Sequence, residues 1–140
     1  VVADATAGWL MASRSVDAVV IGADRIASDG AVTSVIGTYG LAALARRHGV
    51  PCFAVATTSA IDLRTRDPDD PGTEFEPFAV VDPADPTSAR VASTVGTRGP
   101  LQDITPADLL TAIVTEQGVL RPPYEETIAG ALDHEAAASA

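Results

Sequence analysis

The chain has 140 residues, a formal net charge of −10 and one cysteine, the proportions of a single domain (residues 1–140) long enough to bury a core. Hydrophobic residues make up 46%, yet no apolar run reaches the roughly 18 residues of a membrane span, and neither a secretory signal nor a transit peptide is expected. Every basic residue is Arg, and acids outnumber bases 19 to 9. This argues against sequence-independent nucleic-acid binding, which needs clustered positive charge against phosphates. A lone cysteine forms no internal disulfide and fits a reducing cytoplasm. Small phosphorylated ligands remain open, because backbone N–H groups at a helix start hold them whatever the net charge.

The chain opens on Val1-Val2, which reads as a segment met in mid-fold. Asp4 is placed to cap a helix carrying Ala7, Leu10 and Met11 on one face and ending near Ser15. Asp17-Ala18-Val19-Val20-Ile21-Gly22 is a continuous β-branched run, which predicts a central parallel strand buried on both faces. A turn at Ser28-Asp29-Gly30 follows. Ile36 to Arg47 then predicts a second helix with Leu41, Leu44 and Ala45 inward, stopped by Gly49, and Pro51 starts a strand from Cys52 to Ala56.

Two strand-then-helix cycles imply right-handed crossovers and an α/β fold with a mainly parallel sheet and helices on both faces. Arg64 to Pro100 reads as loops around one strand at Phe78 to Val81. Thr105-Pro106-Ala107-Asp108 carries the features of a helix start, and that helix is expected to run to Gln117 and stop at Gly118. Arg121-Pro122-Pro123 forms an extended link to a last helix from Tyr124, grading into an Ala-rich tail.

Asp24 stands where the first predicted strand leaves the sheet, the position at which open α/β sheets hold ligands. A partly desolvated carboxylate there exchanges protons with a substrate oxygen or carbon; the competing reading is a turn acid before Ser28-Asp29-Gly30. Ser34-Val35-Ile36-Gly37-Thr38-Tyr39 leads into a helix from the same end, so its amides are candidates to cradle a phosphate or are ordinary capping. Cys52, at a buried strand start with no basic neighbour, reads as a core residue. His48 and His134 belong to no metal-ligand spacing. Trp9 and Tyr39 read as packing residues.

The stretch GADRIASDGAVTSVIGTYGLAALARRHGVP (Gly22 to Pro51) resembles the GADRI…NGD..NKIGTY.LA..A..H.IP signature of the methylthioribose-1-phosphate isomerase family. DITPADLLTAIVTEQGVLRPPYEE (Asp103 to Glu126) resembles that family's C-terminal segment, in the same order and at about the same separation. Regulatory subunits of the eukaryotic guanine-nucleotide exchange factor for translation initiation share the IGTY region, whereas RPPYEE and the Asp and Arg of GADRI favour the isomerase. The resemblance implies a Rossmann-like C-terminal domain of a longer, cytoplasmic, homodimeric enzyme, whose helical N-terminal domain and catalytic cysteine lie upstream of Val1. It implies an aldose–ketose isomerisation of a sugar 1-phosphate in methionine salvage, without metal or cofactor, with Asp24 as the acid and Ser34, Val35, Gly37 and Thr38 at the substrate positions.

Departures accompany it. The family's Asn-Lys before IGT is Ser34-Val35 here, and the acid of NGD is Ala31. Loss of a charge-assisted contact costs about 1.5–3 kcal/mol of ligand affinity. The Glu-Glu-Arg run near Glu74 to Ala79 and the Asn-Pro ahead of DITP are also absent. An isomerase, a non-catalytic sugar-phosphate- or nucleotide-binding subunit, and an inactive reading frame are therefore the three expectations. Asp24 favours the first and Val35 the other two.

Overall fold

The computed structural model describes residues 1–64 and 99–138, together with three strands between them. In chain order these are α1 (Ala7–Ala12), β1 (Val19–Gly22), β2 (Arg25–Ala27), β3 (Val32–Val35), α2 (Thr38–His48), β4 (Cys52–Val55), β5 (Ile61–Asp62), β6 (Phe75–Glu76), β7 (Val80–Asp82), β8 (Asp85–Arg90), β9 (Gly99–Pro100), β10 (Gln102–Thr105), β11 (Ala112–Thr115), β12 (Gly118–Leu120) and α3 (Tyr124–Ala138). The chain is thus α/β, with a main sheet in the order β1-β4-β11-β12. Strands β1, β4 and β11 are parallel, and β12 returns antiparallel to β11. A second sheet runs β10-β3-β2-β5. Two antiparallel pairs, β6 with β9 and β7 with β8, complete the described strands.

Register explains which side of the main sheet is core. Val19 pairs with Cys52, while Ile21, Ala54, Ile113 and Leu120 form one row across the four strands. All six are buried. The alternate residues point the other way, as the two-residue period of a strand requires, and there Val20, Val55 and Val119 are 67%, 46% and 54% exposed. Among the described residues the Asp17 to Gly22 run is therefore not the central strand buried on both faces that was expected: β1 is an edge of the described sheet with one face packed. A continuous β-branched run satisfies two-sided burial, but nothing among the described residues covers Val20.

Helix α2 begins at Thr38, two residues later than the pattern predicts, and buries Ala42 and Ala45 while Leu44 stays partly exposed. It stops at Gly49, where the Val50 amide returns to the Ala45 carbonyl at 2.9 Å. Arg46, Arg47 and His48 fill the last turn, where positive charge suits the helix dipole. Asp4 lies in a 3-10 turn, Asp4–Thr6, with no side-chain cap, and α1 closes at Ala12 rather than near Ser15.

The predicted helix from Thr105 to Gln117 is absent. Thr105 ends β10, Ala107–Leu109 is a single 3-10 turn, and Ile113-Val114-Thr115 lie in β11. Those β-branched side chains fit the parallel ladder that β11 forms with β4, and this long-range pairing overrides the local capping signal. Gly118 opens β12 of a hairpin instead of ending a helix. The hairpin β2–β3, tied at Ser28-Asp29-Gly30 by the Ala27 amide to the Ala31 carbonyl at 2.8 Å, lies where only a turn was expected. Of the strand expected at Phe78 to Val81, Val80 and Val81 fall in β7, and the rest lies outside the described residues.

One cluster joins both sheets and the helices: Ile26, Val32, Ile113 and Ile128 are fully buried, each worth about 1.5–3 kcal/mol of transfer free energy. Gly30 lies against Tyr124 of α3. Its φ is +89°, and a Cβ there would fall 2.5 Å from the Tyr124 ring, so the turn needs a residue with neither a left-handed penalty nor a side chain.

Candidate active site

The parallel strands β1, β4 and β11 end together, and their exits carry Asp24, Thr57-Thr58-Ser59 and Glu116. Asp24 follows β1 and is fixed through its backbone, the amide donating to the Thr33 carbonyl at 2.9 Å. Its carboxylate is exposed, unlike the partly desolvated group expected from its position, because no described element closes over this end of the sheet. Gln102 of β10 donates its Nε2–H to Asp24 Oδ2 at 2.9 Å.

The start of α2 is tied to the next residue of β10, Asp103. Gly37 adopts φ +101°, a turn that only glycine makes without strain, and Thr38 donates its hydroxyl to the Val35 carbonyl at 2.7 Å. The amides here are engaged from within the chain: Asp103 Oδ2 accepts from Gly37 N at 2.7 Å, and Oδ1 from Tyr39 N at 3.1 Å. The carboxylate thus occupies the place at a helix start where an external phosphate was expected to sit.

Across the mouth, Glu116 accepts from the Thr58 amide at 3.0 Å on both carboxylate oxygens and from the Thr58 hydroxyl. The hydroxyl bond first, then bonds from its own and the Thr58 backbone, hold the Glu116 carboxyl below the usual carboxylate range. Thr57 and Ser59 present a hydroxyl pair 2.6 Å apart on the outside of the same turn.

The sequence-predicted residues separate into two groups. Asp24 lies at the strand exits with Gln102, whereas Val35, Gly37 and Thr38 line a hollow of about 340 Å³ with Ile36, Leu41 and Leu44, mostly apolar. Val35 is 63% exposed, and Ser34 is buried opposite Asp103 in the β3–β10 ladder. Sequence reasoning missed Gln102, Asp103, Thr58 and Glu116. Asp103 opens the quoted DITPADLL segment and so carried a signal; Gln102 carried none.

Cys52 is buried at the start of β4, the end remote from Asp24, and burial pushes its thiol up, which suits a core residue. His48 is exposed in the last turn of α2, and the His134 side chain lies outside the described residues. Trp9 and Tyr39, expected to pack, are 67% and 49% exposed. Among the described residues, no cluster of three His, Cys, Asp or Glu is disposed to hold a metal.

These features define an α/β domain with its polar site at the carboxyl ends of parallel strands. The chain belongs to the Initiation factor 2 subunit family, whose match runs over residues 1–122. It is 42% identical over 127 residues to a methylthioribose-1-phosphate isomerase of Thermosipho melanesiensis, covering 91% of this chain and 36% of that protein. The crystal structure of 5-methylthioribose 1-phosphate isomerase from Pyrococcus horikoshii superposes with a TM-score of 0.82 at 37% identity, over 95% of this chain and 37% of the other. Translation initiation factor eIF-2B subunit delta from A. fulgidus gives 0.78 at 32% identity, over 94% and 38%. The chain therefore spans little more than a third of the length of the relatives it matches.

Proposed function

We propose that the protein carrying this chain is an aldose–ketose isomerase acting on a sugar 1-phosphate, with methylthioribose 1-phosphate as substrate, and that Asp24 moves the proton. The observation that carries this reading is a carboxylate held by a side-chain hydrogen bond at the exit of a parallel strand, in a chain 42% identical to a protein named for that reaction. Opening a ring-closed aldose phosphate puts a proton on the ring oxygen. Forming the ketose then shifts hydrogen from C2 to C1, so the reaction has no net gain or loss of atoms. One carboxyl that gives and recovers a proton at the sugar oxygens meets that need. Thr57 and Ser59 offer hydroxyls for the sugar on the neighbouring exit.

Asp103 and Glu116 add negative charge around this mouth, and no Arg among the described residues hydrogen-bonds to either of them or to Asp24. The exposed apolar side chains Trp9, Val35, Ile36, Tyr39 and Leu44 support self-association of the protein as a homodimer. The acidic balance and lone cysteine support a cytoplasmic protein that binds neither nucleic acid nor membrane.

The second reading, a non-catalytic subunit that binds a sugar phosphate or nucleotide, draws on the eIF-2B delta likeness and on apolar Val35 where the isomerase signature has Lys. Incubating the protein that carries this chain with methylthioribose 1-phosphate and following the ketose by NMR separates the two. Ketose formation is expected; binding of the sugar phosphate without turnover selects the second reading.

A further inference from the structure

We propose that Gln102 is a positioning residue for Asp24: its side-chain amide fixes one carboxylate oxygen so that the other stays aimed at the substrate. The proposal rests on Asp24 being the proton-moving group. Asp24 sits between β1 and β2 with its backbone tied at one point, the bond to the Thr33 carbonyl, which leaves both side-chain torsions free. The partner that removes this freedom comes from 78 residues further along the chain, Gln102 Nε2 at 2.9 Å from Oδ2.

The donor itself stands on a rigid base. Strand β10 is paired with β3 from Gln102 opposite Val35 to Thr105 opposite Val32. The Ile36 amide donates to the Leu101 carbonyl at 2.9 Å, and Asp103, the next residue, is bonded twice to the first turn of α2. Gln102 is therefore braced on both sides, and its amide has little to lose but its own rotamers.

A neutral amide suits this task. It donates one hydrogen bond to the carboxylate and leaves the second oxygen's lone pairs uncommitted. An Arg in its place would engage both oxygens in a bidentate pair and leave neither wholly uncommitted. Orienting a reacting group in this way acts on the rate of the chemical step more than on ground-state binding.

The test is a mutant cycle on methylthioribose 1-phosphate isomerisation by the protein that carries this chain. Gln102→Leu is expected to lower kcat by about tenfold or more, with KM within about twofold and the thermal unfolding midpoint unchanged. Gln102→Asn, whose amide is one methylene short of reaching Oδ2, is expected to behave the same way and guards against a folding defect in the Leu variant. In the Asp24→Asn background the Gln102→Leu change is expected to have less than about a twofold further effect, because residues acting through one another are not additive. Wild-type kcat in both Gln102 variants overturns the proposal, as does an equal loss in the Asp24→Asn background. If Asp24→Asn alone turns over near the wild-type rate, the reading of Asp24 is what fails, and the positioning role goes with it.

Discussion

The hairpin β2–β3 has two ends built by opposite means. At one end Asp24 and the start of α2 are held by side chains arriving from β10, with Gln102 on the carboxylate and Asp103 on the Gly37 and Tyr39 amides. These bonds are exposed. At the other end Gly30 lies against the buried ring of Tyr124, with no room for one further carbon. Exposed hydrogen bonds exchange with water at modest net cost, whereas a filled core has no cheap way to yield. The Gly30 end therefore secures the fold, and the Asp24 end is free to be shaped by chemistry.

The largest stability effect is accordingly expected at Gly30. Gly30→Ala combines a positive φ with a Cβ 2.5 Å from the Tyr124 ring and should cost about 2–4 kcal/mol in denaturant unfolding. A cost below about 0.5 kcal/mol, the level of an ordinary surface change, would mean that the packing of Gly30 against Tyr124 does not secure this end of the hairpin. Asp103→Ala comes next. It frees two amides at a helix start and should cost about 0.5–2 kcal/mol, as loss of a cap does. It should also tighten binding of inorganic phosphate in calorimetry, since those amides lose their internal anion; unchanged phosphate affinity would show that the start of α2 does not receive anions even when uncapped.

Glu116→Gln is the smallest change and sharpens the contrast through pH. The folded chain holds the Glu116 carboxyl below its ordinary value of 4.5. The Thr58 contact thus contributes stability that is present above that value and lost as pH falls through the lower folded one. The wild-type unfolding midpoint should therefore drop more steeply with acidification below about pH 4.5 than that of the variant. Parallel curves would mean that the Thr58–Glu116 bonds do not persist in solution.

How far the sequence reveals each region follows the same division. The α2–β4 unit is legible because its signals are local: a helix-period pattern, Gly49 as the stop and Pro51 ahead of a short apolar run. The position of Asp24 is legible too, since it depends only on where an apolar run ends. Thr105 to Gly118 misleads, because Thr105-Pro106-Ala107-Asp108 is a sound helix start while the deciding interaction, β11 against β4, lies some sixty residues away in the chain. Val19-Val20-Ile21 shows the limit of composition: the same run fits a central strand or an edge strand with one open face, and only pairing tells them apart. Gln102 leaves no trace at all, because a glutamine between Leu101 and Asp103 has meaning only once β10 lies beside β3.

Whether Asp24 moves the proton in a sugar 1-phosphate isomerisation is decided by turnover of methylthioribose 1-phosphate in the Asp24→Asn variant of the protein that carries this chain. The amide keeps the shape of the carboxylate and can still accept from Gln102, but it cannot exchange a proton. A fall in turnover of about 10²–10⁴ with an unchanged unfolding midpoint is expected. Turnover near the wild-type rate would remove Asp24 from the mechanism.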